Sequence, residues 1–177
     1  MVKHITTPLT LDAINDLRAG DVVALSGKIL VARDAAHKRL VDAIRAGSAP
    51  FPIEGETIFY AGPAPTPPGA VIGPIGPTTS SRMDPYTPFL LDLGINGMIG
   101  KGKRSPEVLA SIKKNGAVYF GATGGTAVLL ASSVVSVEKV AYDDLGPEAI
   151  LRLEVKDMPL VVLADRFGGN LYDNYQL

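Results

Sequence analysis

The 177-residue sequence contains no cysteine, and this absence limits both how the chain can fold and what chemistry it can perform. Without cysteine there is no disulfide and no zinc site built from thiolates, so the chain must fold without such crosslinks. A cysteine nucleophile and an iron-sulfur cluster held by this chain's own thiolates are excluded as well. The 46% of hydrophobic residues is more than a disordered chain carries. We expect a single domain spanning residues 1–177, because domains usually contain about 100–200 residues.

The balance of charged residues argues against two kinds of partner. The chain has 17 Lys and Arg against 18 Asp and Glu, whereas nucleic acids and anionic membranes bind broad basic surfaces. The most apolar stretch, residues 127–137, is interrupted by serines and is far shorter than the roughly 20 residues that span a bilayer. Residues 1–8 lack the apolar core of a signal peptide. These features predict a soluble, cytoplasmic protein that binds neither nucleic acid nor membranes.

Helical and strand-like segments alternate along the chain and indicate its fold class. Capping residues and apolar periodicity predict helices after Thr10 and at residues 35–46, 85–93, 106–114 and 126–131. Runs of β-branched and apolar residues predict strands at residues 22–32, 57–60, 70–72, 97–100, 117–120, 134–140, 150–155 and 160–164. The central glycine of residues 22–32 leaves open whether this run is one long strand or a bent pair. The alternation favours an α/β fold, and the late strands without intervening helices favour a mixed sheet with flanking helices.

Most prolines and many glycines collect in residues 48–81, and this segment has two interpretations. It can be a set of turns between short strands of one domain, because strand-like runs recur within it. It can also be a linker between two domains, although the total length leaves little room for two cores.

The first candidate site lies where the strand at residues 22–32 passes into a helix that Asp34 is predicted to cap. Arg33 and His37 are four residues apart, and Asp34 and His37 are three apart, so the spacing places them on one helix face. Arginine binds carboxylate or phosphate through its planar fork, and Asp34 can fix a guanidinium or an imidazole. His37 is the group expected to titrate near neutrality. An ordinary capped helix with a solvated charged face would show the same pattern.

The second candidate site is a run of hydroxyl residues that ends in an arginine. Residues 78–81 are Thr, Thr, Ser and Ser, and Arg82 follows. Side-chain and backbone donors of this kind can bind an anion at the start of a helix. A capped helix with a polar loop is the alternative.

The third candidate site is Lys101, which lies between two glycines ahead of a helix capped by Ser105. Glycines leave the backbone open to a close ligand, although the pattern is not a P-loop and also fits a solvated basic turn. The small residues at 121–126 favour close packing or approach of an anion, and they lack a dinucleotide-binding pattern. If the three sites converge, Arg33, Arg82 and Lys101 suit a small di-anion.

Several blocks of the sequence, in the same order, resemble the β subunit of the iron-sulfur class I fumarate hydratases and L-tartrate dehydratases. These blocks are residues 26–27 with 33–40, 60–63, 76–84, 100–102, and 154–157 followed by 160–162. In that family this part is a separate subunit or the C-terminal half of a longer chain, folded as a swivelling β/β/α domain. The resemblance implies a hydro-lyase that reversibly hydrates fumarate to L-malate.

The resemblance also implies a cofactor and a partner. A 4Fe-4S cluster would be held by three cysteines of an α subunit, in an expected α2β2 assembly, and its open iron would act as a Lewis acid on the substrate. This chain itself would hold no metal. Three alternatives stay open, namely an L-tartrate dehydratase β subunit, a stand-alone module that binds dicarboxylates or other anions, and an architectural subunit without substrate contacts.

The family motifs imply roles for six residues of this chain. The implied residues that bind the C4 dicarboxylate are Arg33, Arg82 and Lys101. The implied catalytic residues are Thr78 as the base, with Asp34 and His37 orienting the Arg33 side of the site. A threonine hydroxyl is a very weak acid, so Thr78 could act as a base only with nearby cations or a neighbour that relays the proton.

Overall fold

The computed structural model describes residues 1–122 and 125–175 of the chain. The strands in these residues are β1 (Lys3–Thr6), β2 (Val22–Val31), β3 (Thr57–Phe59), β4 (Gly97–Gly100), β5 (Val118–Gly121), β6 (Val134–Ala141) and β7 (Ile150–Ala164). The α-helices are α1 (Leu11–Asp16), α2 (Asp34–Arg45), α3 (Thr87–Asp92), α4 (Pro106–Asn115) and α5 (Ala127–Ser132). Short 3₁₀ turns cover Ser80–Met83, Asp143–Glu148 and Leu171–Asn174.

The strands form one seven-stranded sheet that closes on itself. β1 to β5 lie side by side in chain order and are parallel. β7 is antiparallel to β5 on one side and to β2 on the other, so β2, β3, β4, β5 and β7 make a closed five-stranded barrel. β1 pairs with residues 23–26 in the first part of β2, and β6 pairs with residues 150–155 in the first part of β7. The mixed α/β sheet with flanking helices predicted from the sequence is confirmed.

The two faces of the sheet each bury a hydrophobic cluster, because side chains alternate along every strand. One cluster includes Leu25, Phe59 and Phe120. The other takes neighbouring strand residues such as Ile58 and Tyr119, together with the inward faces of α2, α3 and α4. These three helices therefore cover one face of the sheet, whereas Ile14 of α1 and Leu130 of α5 pack into the first cluster.

One predicted break in the sheet is wrong. The strands predicted at residues 150–155 and 160–164 form a single strand, β7. The sequence between them looks like a turn, but β7 stays paired with β2 through a register shift at Leu25 and Gly27. Asp157, opposite this shift, has a φ of 50° and absorbs the irregularity. Long-range pairing overrides the local turn signal.

Two other predictions also differ from the structure, and β1 was not predicted. Residues 71–72 form a bend that follows a turn at residues 68–69 instead of a strand, because Gly69 has a φ of 79° and the neighbouring prolines cannot pair, although Ile72 is buried. Asp34 is the first residue of α2 and not its cap, and the capping position is occupied by Arg33 without a side-chain hydrogen bond. No helix within the described residues is long and apolar enough to cross a membrane.

A buried ion pair ties the start of α4 to the turn that precedes α3. The Arg104 guanidinium is fully buried and its Nε donates to Asp84 Oδ1 at 2.7 Å. Its Nη2 donates to the Thr87 hydroxyl at 2.8 Å, and the Asp84 carboxylate also accepts from the Ser105 amide at 2.8 Å. Burial disfavours the charge on Arg104, but the neighbouring Tyr60 and Asp84 outweigh it and raise the pKa of Arg104. The pair fixes the two chain segments that directly follow Arg82 and Lys101.

We expect Asp84→Ala to lower the free energy of unfolding by about 3–5 kcal/mol, because it leaves the Arg104 charge buried and unpaired. Asp92→Ala is the matched control, since Asp92 pairs with Lys114 at the surface, and it should cost less than about 1 kcal/mol. Urea unfolding of both variants measures the difference. Equal decreases in the free energy of unfolding of the two variants would show that the buried pair stabilises the fold no more than the surface pair does.

Candidate active site

Three loops at the carboxyl ends of parallel strands form the candidate active site. Arg33 lies just past β2, Thr78 lies in the long loop after β3, and Lys101 follows β4 directly. β2, β3 and β4 are parallel neighbours, so their carboxyl ends meet at one edge of the barrel. The Thr78 amide donates to the Tyr60 carbonyl at 2.7 Å, which holds the long loop at this edge.

A bidentate ion pair joins the first and second loops. Arg82 donates from Nε to Asp34 Oδ1 at 2.9 Å and from Nη2 to Oδ2 at 2.6 Å. Burial acts to raise the pKa of Asp34, but the hydrogen bonds and charge of Arg82 outweigh it and hold that pKa below its usual value. The same contact raises the pKa of Arg82. Both side chains are about half exposed to solvent, so salt and competing anions can reach the pair.

A second carboxylate, Glu148, lies against Arg33. Its Oε1 is 3.4 Å from Arg33 Nε and accepts a hydrogen bond from the Ala35 amide at 3.3 Å. Among the described residues, Arg33 Nε finds no well-aligned acceptor. The guanidinium packs on Gly62, where an added Cβ would lie 3.1 Å from Nε. Glu148 was not predicted, because it comes from the turn before β7 and no local pattern connects it with Arg33.

The second and third loops are joined through Ser80, which is completely buried. The Lys101 amide donates to Ser80 Oγ at 3.1 Å, and the Ser80 amide donates to the Lys101 carbonyl at 3.0 Å. Thr79 and Lys101 also form a parallel β-bridge. A Cβ on Gly100 would overlap the Ser80 hydroxyl, which explains why glycine precedes the lysine. The hydroxyl run is therefore more than a helix cap, since one of its members anchors the Lys101 backbone.

Two tyrosine hydroxyls, of Tyr119 and Tyr172, hold the turn after Lys101. The Tyr119 hydroxyl lies 2.8 Å from both Ser80 Oγ and the Gly102 carbonyl. A carbonyl only accepts, so Tyr119 donates to Gly102 and accepts from Ser80. Burial raises the pKa of Tyr119 and keeps this proton in place. The Gly102 amide donates to the Tyr172 hydroxyl at 3.1 Å, so the last described turn of the chain also supports the loop.

His37 points into the protein and away from solvent. It is completely buried, its ring lies 5.3 Å from that of Tyr60, and its Nδ1 is 3.0 Å from the Arg33 carbonyl. The proton is therefore on Nδ1, and Nε2 has no hydrogen-bond partner among the described residues. Burial lowers the pKa of His37 to about 4. The expectation that it titrates near neutrality is wrong, because the helix turns this side chain inward while Asp34 faces Arg82.

The structure brings some of the predicted site residues into direct contact and links others only indirectly. Arg33, Asp34 and Arg82 lie on two loops joined by an ion pair, and Lys101 is linked to them through the Thr79 bridge. Lys101 is exposed, and within residues 1–122 and 125–175 it has no ion pair. The three cations face two carboxylates, so the edge is less positive than the sequence alone suggested. Of the glycine-rich stretch at 121–126, residues 123 and 124 lie outside the described residues.

The described residues 1–122 and 125–175 contain no set of ligands that fits an iron-sulfur cluster. The sequence has no cysteine. In the part of the chain that the structure describes, no group of three His, Asp or Glu side chains lies close enough together to hold a metal ion. Any cluster chemistry at this edge therefore needs ligands from outside the chain.

The fold and the edge together define an α/β domain that presents cations and hydroxyls from adjoining loops, an arrangement suited to a carboxylate or phosphate ligand. The chain belongs to the Fumarase C-terminus family, whose sequence model matches residues 2–175. This confirms the family predicted from the sequence.

Similar proteins fall into two groups by length. The chain is 42% identical over 158 residues to the aerobic class I fumarate hydratase of Escherichia coli strain K12, covering 88% of this chain and 29% of that protein. It is 39% identical over 157 residues to fumarate hydratase 2 of Leishmania major, covering 86% and 28%. It thus spans less than a third of these two enzymes. A Methanocaldococcus jannaschii protein, provisionally named L(+)-tartrate dehydratase subunit beta, is 39% identical over 97% of this chain and 92% of its own length.

The buried His37 makes stability depend on pH. Its pKa of about 4 in the folded chain lies below the ordinary 6.5, so the unfolded chain binds a proton in this range that the folded chain lacks. The free energy of unfolding should therefore fall by up to about 3 kcal/mol as pH drops through this window. Urea unfolding between about pH 7 and pH 4.5 measures it. His37→Gln should flatten this dependence and His4→Gln, at an exposed site, should not; an unchanged slope in His37→Gln would contradict the assignment.

Proposed function

We propose that this chain is the β subunit of an iron-sulfur hydro-lyase that reversibly hydrates fumarate to L-malate. The observation that carries the proposal is the joining of the Arg33, Thr78–Arg82 and Lys101 loops at one edge of a domain from the fumarase family. A C4 dicarboxylate needs cations that are held apart on a rigid frame, and loops at parallel strand ends supply them.

In this proposal Arg33, Arg82 and Lys101 bind the two carboxylates of the substrate. Each charge-assisted hydrogen bond contributes on the order of 1.5–3 kcal/mol. The exposed Arg82–Asp34 pair is weak enough for a substrate carboxylate to take the place of Asp34. Lys101, exposed and held by its backbone, is already free of a carboxylate among the described residues.

Thr78 is the proposed group at the carbon that gains or loses a proton. Its backbone is fixed by Tyr60, and its side chain is partly exposed at the edge that carries the cations. Arg82 and Lys101 would favour the charged form of its hydroxyl. His37 stays neutral near pH 7 because its pKa is about 4, so it acts by fixing the Arg33 backbone and not by transferring protons. Asp34 orients Arg82.

The proposal includes a partner, because this chain has no cysteine. An α subunit would hold a 4Fe-4S cluster with three cysteines, and the pair would assemble as α2β2 in the cytoplasm. The greater length of the fumarate hydratases and the subunit name of the M. jannaschii relative support a second part of this kind. The domain would swivel over the α subunit as a β/β/α unit.

A β subunit of an L-tartrate dehydratase is the second candidate. The observation that favours it is the match to the M. jannaschii protein along 92% of that protein's length. Tartrate differs from malate by one hydroxyl, so both reactions would use the same three cations.

Thr78→Ala in the enzyme reconstituted with its α subunit should lower kcat at least about 100-fold and change KM by less than about threefold, because a proton-transfer group acts in the transition state. Thr79→Ala is the matched control, since Thr79 is the exposed neighbouring threonine and contributes its backbone to the Lys101 bridge. Anaerobic steady-state kinetics with fumarate and malate measure both variants. A Thr78→Ala enzyme as active as Thr79→Ala would remove Thr78 from the mechanism.

A further inference from the structure

Two long segments of the chain carry no charged residue. Residues 57–81 and 115–137 contain no Asp, Glu, Lys or Arg, although such residues make up 20% of the whole sequence. The first segment includes β3 and the loop to Thr78, and the second includes β5 and α5. Strands in a core are expected to lack charge, but both segments also contain exposed residues, where charge is normally common.

The two segments are in contact next to the loop that carries Thr78. The Ile75 amide donates to the Ala127 carbonyl at 3.1 Å, and the Cα side of Gly76 faces the Ala127 side chain. Ile75 and Gly76 come just before Thr78 in the chain. The start of α5 is therefore in direct contact with the loop that carries Thr78.

The surface formed in this way is apolar. Residues 64–71 are all exposed, and the exposed fractions are 53% for Val71, 72% for Val128 and 54% for Leu129. A cavity of about 360 Å³ lies between the loop and α5. Its lining is apolar apart from one serine and consists of Ala70, Val71, Ile72, Val128, Ala131, Ser132 and Val134. We call residues 64–72 and the exposed side of α5 the apolar face.

We propose that the apolar face is the surface on which the cysteine-bearing α subunit docks; this inference rests on the proposed function. The centre of a protein interface is depleted of charged residues, as this face is. Prolines at positions 65, 67 and 68 restrict the loop before binding, so little conformational entropy is lost when a partner covers it. Contiguous exposed apolar surface of this kind marks an interaction site in a folded domain.

The α subunit is the proposed partner because the chain that carries the neighbouring candidate active site has no cysteine. This chain belongs to a family in which the E. coli relative has more than two thirds of its length outside the match. A partner seated on the apolar face would cover the start of α5, which contacts the loop that leads through Ile75 and Gly76 to Thr78. A second copy of this chain on the same face would bring no cysteine.

The test compares two exposed leucines on helices of equal length. Leu129 is on α5 at the apolar face, and Leu11 is on α1, where it lines a surface cavity together with Asn96. Leu129→Glu should weaken binding to the purified α subunit of the same organism at least about 30-fold, because it places a charge in an apolar interface. Leu11→Glu should stay within about threefold of the wild type. Anaerobic calorimetry on the full chain measures both.

Val71→Glu tests the same surface from the loop, so a folding defect confined to α5 does not decide the result. It should also weaken binding at least about 30-fold with an unchanged circular dichroism spectrum.

If the wild-type chain binds the α subunit and both glutamate variants bind equally well, the docking surface is elsewhere and the proposed function stands. If the wild type does not bind the α subunit, the proposed function itself fails. A wild-type dimer that Leu129→Glu separates, with α binding retained, makes this face a self-association surface and overturns the proposal.

Discussion

The pairing of β7 with both β2 and β5 is the constraint on which the rest of the structure depends. This single long strand closes the sheet into a barrel, and closure sets the parallel strands β2, β3 and β4 side by side. Their carboxyl ends then lie at one edge, and the loops that follow must carry whatever the domain binds. Arg33, Thr78 and Lys101 lie on those three loops.

At this edge, hydrogen bonds and ion pairs join the loops to one another. The buried Ser80 anchors the Lys101 backbone, and the buried Arg104–Asp84 pair fixes the segments around it. Buried polar groups of this kind must be satisfied by specific partners, so they allow few alternative loop conformations. The exposed Arg82–Asp34 pair differs, since solvent reaches it and a ligand can replace one partner.

Local sequence signals predicted much of the fold and part of the site. Ser105 caps α4 and Thr10 caps α1 through their side chains, as their positions before apolar helical patterns indicate. The grouping of Arg33 with Arg82 depended on a family resemblance, because spacing alone could not show that two distant loops meet. Glu148 could not be predicted, since its contact with Arg33 arises from chain closure and not from local sequence. The inward position of His37 was missed although a signal was present, because His37 lies three and four residues before the buried Leu40 and Val41 and so shares their helix face.

Activity of the reconstituted complex tests the central claim most directly. This chain and a cysteine-bearing α subunit, purified separately and mixed without oxygen, should together interconvert fumarate and L-malate, while neither is active alone. Parallel assays with L-tartrate decide between the two candidate substrates. Hydration of fumarate by this chain alone, or a mixture that binds but is inactive on both substrates, would contradict the assignment.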